Sequence, residues 1–303
     1  MTYNLAACRG DRRTSGRGPL ACRRMSSPLS GRVVVMSGGS RGIGLAIAVA
    51  CARAGARIAL LAKTDTAHPR LPGTIHTAAE AIEAAGGEAL PVVGDVRDDA
   101  QVDAFVAAAA ERWGGVDIVV NNASAINLAP VADLAPKRYD LMLDINARGT
   151  FLLTRAALPH LRASDHAHVL TLSPPLSTDR RWLKGHAAYT VSKMAMTMLT
   201  LGVAEDEREH GVAANCLWPR TLIATAAVQN LLGGDRAMAM SRTPEIVADA
   251  ARILLERDPA AASGGTYIDD ELLAEAGITD LAPYRAGEGE LALDLFVEDW
   301  PDA

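Results

Sequence analysis

The stretch Arg32-Val33-Val34-Val35-Met36-Ser37-Gly38-Gly39-Ser40-Arg41-Gly42-Ile43-Gly44 joins a short β-branched run to a glycine-rich turn. An apolar helical pattern follows through Arg53 and closes at Gly55. The order is strand, glycine loop, helix. Glycines let a backbone approach a pyrophosphate closely, and the helix behind them offers unpaired N–H groups and the positive end of its dipole. A plain structural turn would also use glycine. The position between a strand and a helix favours a dinucleotide site built from Gly38, Gly39, Ser40, Arg41, Gly42, Ile43 and Gly44.

Working outward, the alternation repeats. Strands are expected at 57–62, 89–93, 116–120, 168–173, 213–217 and 265–268, and helices at 74–85, 98–113, 136–161, from 187 onward, and 244–256. Strands alternating with helices predict an α/β fold, a doubly wound Rossmann-type parallel sheet with ligands at the carboxyl ends of its strands. No internal boundary interrupts the pattern, so residues 31–303 read as a single domain.

Composition narrows the function classes. The chain has 303 residues, 49% of them hydrophobic, which suffices for a sizeable core. Residues 1–30 hold six Arg against the single acid Asp11, leaving 24 basic and 35 acidic residues for the rest. An acidic body argues against a nucleic-acid partner. The basic tail lacks hydrophobic periodicity and is expected to be disordered; it also suits a transit peptide or an over-long gene start, with Met25 the favoured true start. Four cysteines without C-x-x-C spacing suggest neither a disulfide framework nor a zinc site, and His166 and His168 lack a third metal ligand nearby. No apolar run reaches the ~18 residues of a membrane span. A soluble cytoplasmic protein is the expectation.

The second informative stretch is Ala187-Ala188-Tyr189-Thr190-Val191-Ser192-Lys193. On a helix Tyr189 and Lys193 share one face. A phenol beside a fixed positive charge loses its proton more easily, so Tyr189 becomes a candidate acid or base near neutral pH. A half-buried Tyr beside a solvated Lys would look the same, and this pair alone decides nothing.

Taken together, S-G-G-S-R-G-I-G at 37–44, G-D-V at 94–96, N-N-A-S at 121–124 and Y-T-V-S-K at 189–193 resemble the short-chain dehydrogenase/reductase family in order and spacing. The resemblance runs from about residue 30 to the C-terminus. Finer features, namely the insert at 63–73, L-S-P-P at 172–175, W-P-R-T at 218–221 and the ending F-V-E-D-W-P-D-A, are similar to a hydroxysteroid dehydrogenase-like branch. In that branch a sterol-carrier domain follows the reductase domain; this chain stops where the reductase part would end, so lipid carriage is not transferred.

The resemblance implies that Tyr189 exchanges a proton with the substrate oxygen while hydride moves to or from a nicotinamide, that Lys193 lowers the tyrosine pKa and bonds the ribose, and that the Asn146 amide holds a relay water. It also implies a serine hydroxyl facing the substrate oxygen. Ser173 ends the fifth strand and is preferred, with Ser177 the alternative. Asp95 would bind the adenine amino group, Val96 and Asn122 would sit against the cofactor, and Ser124 stands where the family usually has Gly. With Ala62-Lys63 after the second strand, and Arg41 in the loop, NADP(H) is expected over NAD(H).

The apolar segment 220–239 would cover a hydrophobic, lipid-like or steroid-like substrate, with Arg220 available to an acidic group. Apolar residues after Lys193 predict a second buried face on that helix, hence a homodimer or homotetramer. The alternatives are a catalytically weak NADP(H)-binding regulator or scaffold, and more distantly a hydratase or epimerase on the same fold.

Overall fold

The computed structural model describes residues 27–67 and 72–300. Seven strands form one sheet: β1 (Val33–Ser37), β2 (Arg57–Ala62), β3 (Glu88–Val93), β4 (Ile118–Asn121), β5 (His168–Leu172), β6 (Ala213–Trp218) and β7 (Thr266–Ile268). Every pairing is parallel and the spatial order is β3-β2-β1-β4-β5-β6-β7. The sheet therefore winds outward both ways from β1 and β4, and a ligand crevice opens where the order reverses, at their carboxyl ends.

The β1 strand shows why the core has two halves. All five of its residues are buried. Val34 and Met36 join one apolar cluster, whereas Val33 and Val35 join the other, as the period of two in a strand requires. The first cluster packs under α1 (Gly42–Arg53), α2 (Ile75–Ala84) and, further along the sheet, helices over Glu245–Leu255 and Asp269–Glu275. The second packs under α3 (Asp99–Trp113) and the helix over Gly149–Leu161. Local signals agree with these elements. Thr74 caps α2 in a reciprocal pair with Thr77, Asp98 caps α3 through the Gln101 N–H, and Gly114 ends α3 in the left-handed conformation.

Three departures from the sequence reading carry structural meaning. The helix expected over 136–161 is α4 (Pro136–Leu143) and α5 (Gly149–Leu161) joined by a π-helical turn, Asp144–Arg148, which holds Asn146. The boundary at residue 30 also moves: Leu29 is fully buried, and Ser27 Oγ donates to Glu256 at 2.9 Å. Ser27–Ser30 therefore belongs to the folded body, while the basic tail and Met25 lie outside the described residues. Third, the chain continues beyond α6 (Ala187–Asp206), α7 (Gly234–Ala239), α8 (Glu245–Leu255) and α9 (Asp269–Glu275) to cross back over the end of β6. There Leu293 bridges Thr221, and Trp218 Nε1 donates to Leu295 O at 2.7 Å.

Candidate active site

The glycine loop between β1 and α1 forms one wall of a cleft of about 720 Å3. Gly38 has φ +76, and a Cβ there would lie 2.8 Å from Ala123 Cα. At Gly44 a Cβ would lie 2.4 Å from Asn122 Nδ2. The loop after β4 thus closes onto the glycine loop, and Asn122 Nδ2 donates to Gly38 O at 2.8 Å to hold it. Arg41, the residue before α1, makes no side-chain cap, which leaves the first-turn N–H groups of Gly42, Ile43 and Gly44 to the cleft. Such a cradle fits a cofactor pyrophosphate.

The expected cofactor residues Gly38, Ser40, Arg41, Gly42, Ile43, Gly44, Lys63, Asp95, Val96 and Asn122 all line this cleft, as does Ser124. Gly39 does not; its missing side chain makes room for Leu60, 2.5 Å from a built Cβ. Lys63 Nζ bonds Asp95 Oδ2 at 3.0 Å, and Arg97 bonds both oxygens of the same carboxylate. Arg97, then the bond from Lys63, hold the Asp95 carboxyl well below the usual carboxylate range. Arg41 Nη2 donates to Gly73 O at 2.8 Å, while its Nε is buried without a partner. Two cations therefore flank the end of β2, where Ala62 stands in place of an acid.

The α6 helix, none of whose residues lines this cleft, carries the expected Tyr189 and Lys193, one turn apart and only 5% and 3% exposed. The helix is stitched to the end of β5 through one face: Lys193 Nζ donates to Leu172 O at 2.8 Å, Thr197 Oγ1 to Pro174 O at 2.7 Å, and Thr200 Oγ1 to Thr171 Oγ1 at 2.7 Å. Burial pushes the Lys193 ammonium down to about 7, against an opposing pull from the Asp294 carboxylate. Burial also pushes the Tyr189 phenol up, and Asp294 adds to this. The expected lowering of the tyrosine is therefore absent: desolvation and the Asp294 carboxylate both act to keep the phenol protonated.

Asn146 is completely buried. Its Oδ1 accepts from Ala125 N at 2.7 Å, while Nδ2 donates to Ala125 O at 3.0 Å and to Ser192 Oγ at 2.9 Å. Both amide protons are thus committed to tying the loop after β4 to α6. Ser173 is buried, with its hydroxyl against the Cys216 thiol. Ser177 Oγ instead accepts from Asp179 N at 3.2 Å.

The sequence profile described as short chain dehydrogenase matches residues 32–234. This chain belongs to the short-chain dehydrogenase family. It is 48% identical over 276 residues to hydroxysteroid dehydrogenase-like protein 2 of Xenopus tropicalis, covering 91% of this chain and 66% of that protein. The chain thus spans just under two thirds of that relative's length. A crystal structure of a short-chain dehydrogenase from Mycobacterium thermoresistibile superposes with a TM-score of 0.84 at 51% identity, covering 89% of this chain and 96% of the other. A metagenomic short-chain oxidoreductase in complex with NADP superposes at 0.65 with 28% identity, over 80% of this chain and 97% of its own.

Other features of this short-chain dehydrogenase site were not legible in sequence. Phe296 sits amid Trp182, His186, Tyr189 and Trp218, with ring centroids 5.7, 6.3, 6.1 and 5.9 Å away. Its φ of +72 is the only positive value at a non-glycine among the described residues. Arg220, expected to meet a substrate acid, is itself buried: Nε bonds both oxygens of Asp270 at 2.8 Å, Nη2 bonds Glu271, and Nη1 donates to Asp299 O at 2.7 Å. It anchors the end of the chain and is closed to a ligand. From the segment 220–239, Thr225, Ala226, Ala227, Asn230 and Leu231 line the same cleft as the glycine loop.

Proposed function

We propose that this chain is an NADP(H)-dependent oxidoreductase that interconverts a carbonyl and an alcohol on a hydrophobic, lipid-like or steroid-like substrate. The observation that carries the reading is the buried Tyr189–Lys193 pair on α6, at the carboxyl end of the same sheet whose β1–α1 loop forms a pyrophosphate cradle. NADP(H), when bound, supplies or takes the hydride. Protonated Tyr189 gives its proton to the developing alkoxide, and Lys193, in its ammonium form, stabilises the tyrosinate that remains. Ser173, directly after β5, is the serine assigned to aid this step, with Ser177 in the following loop the alternative. Asn146 supports it by fixing the loop at Ala125 against α6. Lys63 and Arg41 favour a 2′-phosphate, and equal activity with NADH and NADPH would sink that preference.

The apolar faces of Ala226, Ala227 and Leu231 at the cleft support an apolar substrate. Val191 and Met198 on α6 and Phe151 on α5 are 49%, 63% and 48% exposed, which supports a homodimer or homotetramer through these helices. No helix among the described residues is long and apolar enough to cross a membrane; cytoplasmic residence is proposed on the acidic body. A second reading, a weakly catalytic cofactor-binding scaffold, draws support from the burial of Tyr189 under Phe296. A cofactor-oxidation screen over varied carbonyls separates the two. The enzyme reading expects turnover that Tyr189→Phe abolishes while cofactor binding persists; binding without turnover on any carbonyl favours the scaffold.

A further inference from the structure

Where the C-terminal segment crosses back over the end of β6, it is pinned on both sides of Phe296. Before it, Leu293 bridges Thr221, Asp294 N donates to Arg220 O at 2.9 Å, and Trp218 Nε1 donates to Leu295 O at 2.7 Å. Beyond it, Arg220 Nη1 donates to Asp299 O at 2.7 Å. Between these anchors the hold is of another kind. Phe296 and Val297 are buried in an apolar cluster with Tyr189, while Glu298 makes an exposed ion pair with Arg181 at 3.3 Å. The φ of +72 puts Phe296 in the left-handed region that a bulky side chain rarely adopts. Its buried ring, and not backbone preference, keeps the residue in place.

That ring fills a chamber walled by three other stretches. Trp182 and His186 come from the turns before α6, Tyr189 from its first turn, and Trp218 from the end of β6. Two nitrogens of the wall, Trp182 Nε1 and His186 Nε2, are buried without a hydrogen-bond partner. A phenyl ring has no oxygen to offer them, and a buried polar atom left unpaired is unfavourable. The chamber also adjoins the cofactor cleft: Ile126 packs against the cluster around Phe296 and lines the cleft of the glycine loop. Tyr189 itself is packed against Phe296, and no residue of α6 lines that cleft. A substrate carbonyl that meets Tyr189 must take room that Phe296 and its neighbours now occupy.

We propose that this aromatic chamber is the subsite for a flat, ring-bearing carbonyl compound, and that Phe296 is a displaceable plug whose place the substrate ring takes. The proposal rests on reading Tyr189 as the residue that meets the substrate oxygen, and it narrows the apolar substrate to one with a ring beside its carbonyl. The surrounding rings now receive a flat group at interplanar angles from 31° to 69°, the tilted and edge-on arrangements that aromatic pairs favour. A ligand that carries an oxygen can also accept from Trp182 Nε1, which Phe296 cannot. Displacement requires movement only between the anchors at Leu295 and Asp299. It relaxes the left-handed backbone and breaks the exposed Arg181–Glu298 pair, a weak restraint. A straight alkyl ketone lacks the flat shape and gains less from the four rings.

The tryptophans of the chain are Trp113, Trp182, Trp218 and Trp300, so full-length protein labelled with fluorotryptophan reports on the chamber by fluorine NMR, with Trp182→Phe and Trp218→Phe assigning the two signals. Acetophenone, titrated in the presence of NADP(H) in its oxidised form, is expected to move the Trp182 and Trp218 signals together and to leave Trp113, on α3, in place. Methyl hexyl ketone, with as many carbons and no ring, should move them less at equal concentration. Absence of movement with acetophenone, or an equal response to the alkyl ketone, overturns the proposal. Phe296→Gly supplies a second arm, since glycine accepts the left-handed backbone. With the plug closed in about nine-tenths of molecules, its removal tightens acetophenone binding about tenfold, because apparent affinity scales with the open fraction. Unchanged or weaker binding by the folded variant overturns the proposal; should the variant not fold, the fluorine titration of the parent chain decides. If acetophenone moves both signals but neither parent nor variant reduces any carbonyl, the chamber stands and the oxidoreductase reading falls. Carbonyl reduction with the two signals unmoved does the reverse.

Discussion

At the residue scale, chemistry in this site is set by burial more than by neighbouring charge. Tyr189 stays a phenol and Lys193 is poised near neutrality because both are cut off from water, an effect that spacing along a helix cannot convey. Replacing Tyr189 by Phe removes one oxygen from a packed site; kcat should drop by about 10²- to 10⁴-fold with cofactor affinity retained, measured by stopped-flow turnover and fluorescence titration. Phe296 offers a stability test of the same region. Its buried ring should cost about 3–5 kcal/mol on truncation to Ala. Because φ is +72, Phe296→Gly should be less destabilising than Phe296→Ala by about 1 kcal/mol in urea unfolding, the reverse of the order in a helix. A larger loss in the Gly variant would show that the backbone there is not strained.

Among the elements, the C-terminal segment is the one that joins site to scaffold. Arg220, at the end of β6, is held by Asp270, Glu271 and the Asp299 carbonyl, and Arg242 Nη1 adds a bond to Asp270 at 3.1 Å. Removing one partner of a buried ion pair leaves the other uncompensated. Arg242 still pairs with Asp270 when Arg220 is lost, so Arg220→Met should cost less than the ~3–5 kcal/mol of a fully stranded buried charge in chemical denaturation. It should also expose Tyr189 by loosening the segment, read as increased hydrogen exchange in residues 189–193 and 293–297. Unchanged exchange there would mean that the apolar cluster alone holds the segment. The π-helical turn at Asp144–Arg148 has a comparable role, since it carries Asn146 between α4 and α5 to the place where its amide meets both Ala125 and Ser192.

For the whole molecule, the two faces of the sheet and its rim respond to pH and to association differently. His168, at the start of β5, has its ring on Arg257 O at 3.2 Å, and burial, then His166, push it down to about 4. The unfolded chain binds a proton near 6.5 that the folded chain refuses until about 4, so stability falls as pH drops through that window. The loss should amount to about 3 kcal/mol, and a His168→Gln protein should lack that portion of the acid dependence in thermal unfolding from pH 7 to 4. Association should depend on the exposed apolar surface of α5 and α6. Met198→Glu should shift light-scattering mass from oligomer to monomer at micromolar concentration, while an unchanged mass would place any interface elsewhere.

Much of this fold was legible in the residues themselves. The β-branched run before Ser37, the glycine loop and the strand–helix alternation specify a parallel sheet because these patterns act locally, through periodicity, capping and turn geometry. They also locate Tyr189, Lys193 and the cofactor cleft, since those positions follow directly from strand ends and one helical turn. What only the tertiary structure decided is what surrounds them: Phe296 and Asp294 arriving about a hundred residues after Tyr189, Arg220 turned from ligand to anchor, and Asn146 placed by a π turn. Burial and the sign of the local field are sums over groups distant in sequence. No local pattern along the chain encodes such a sum.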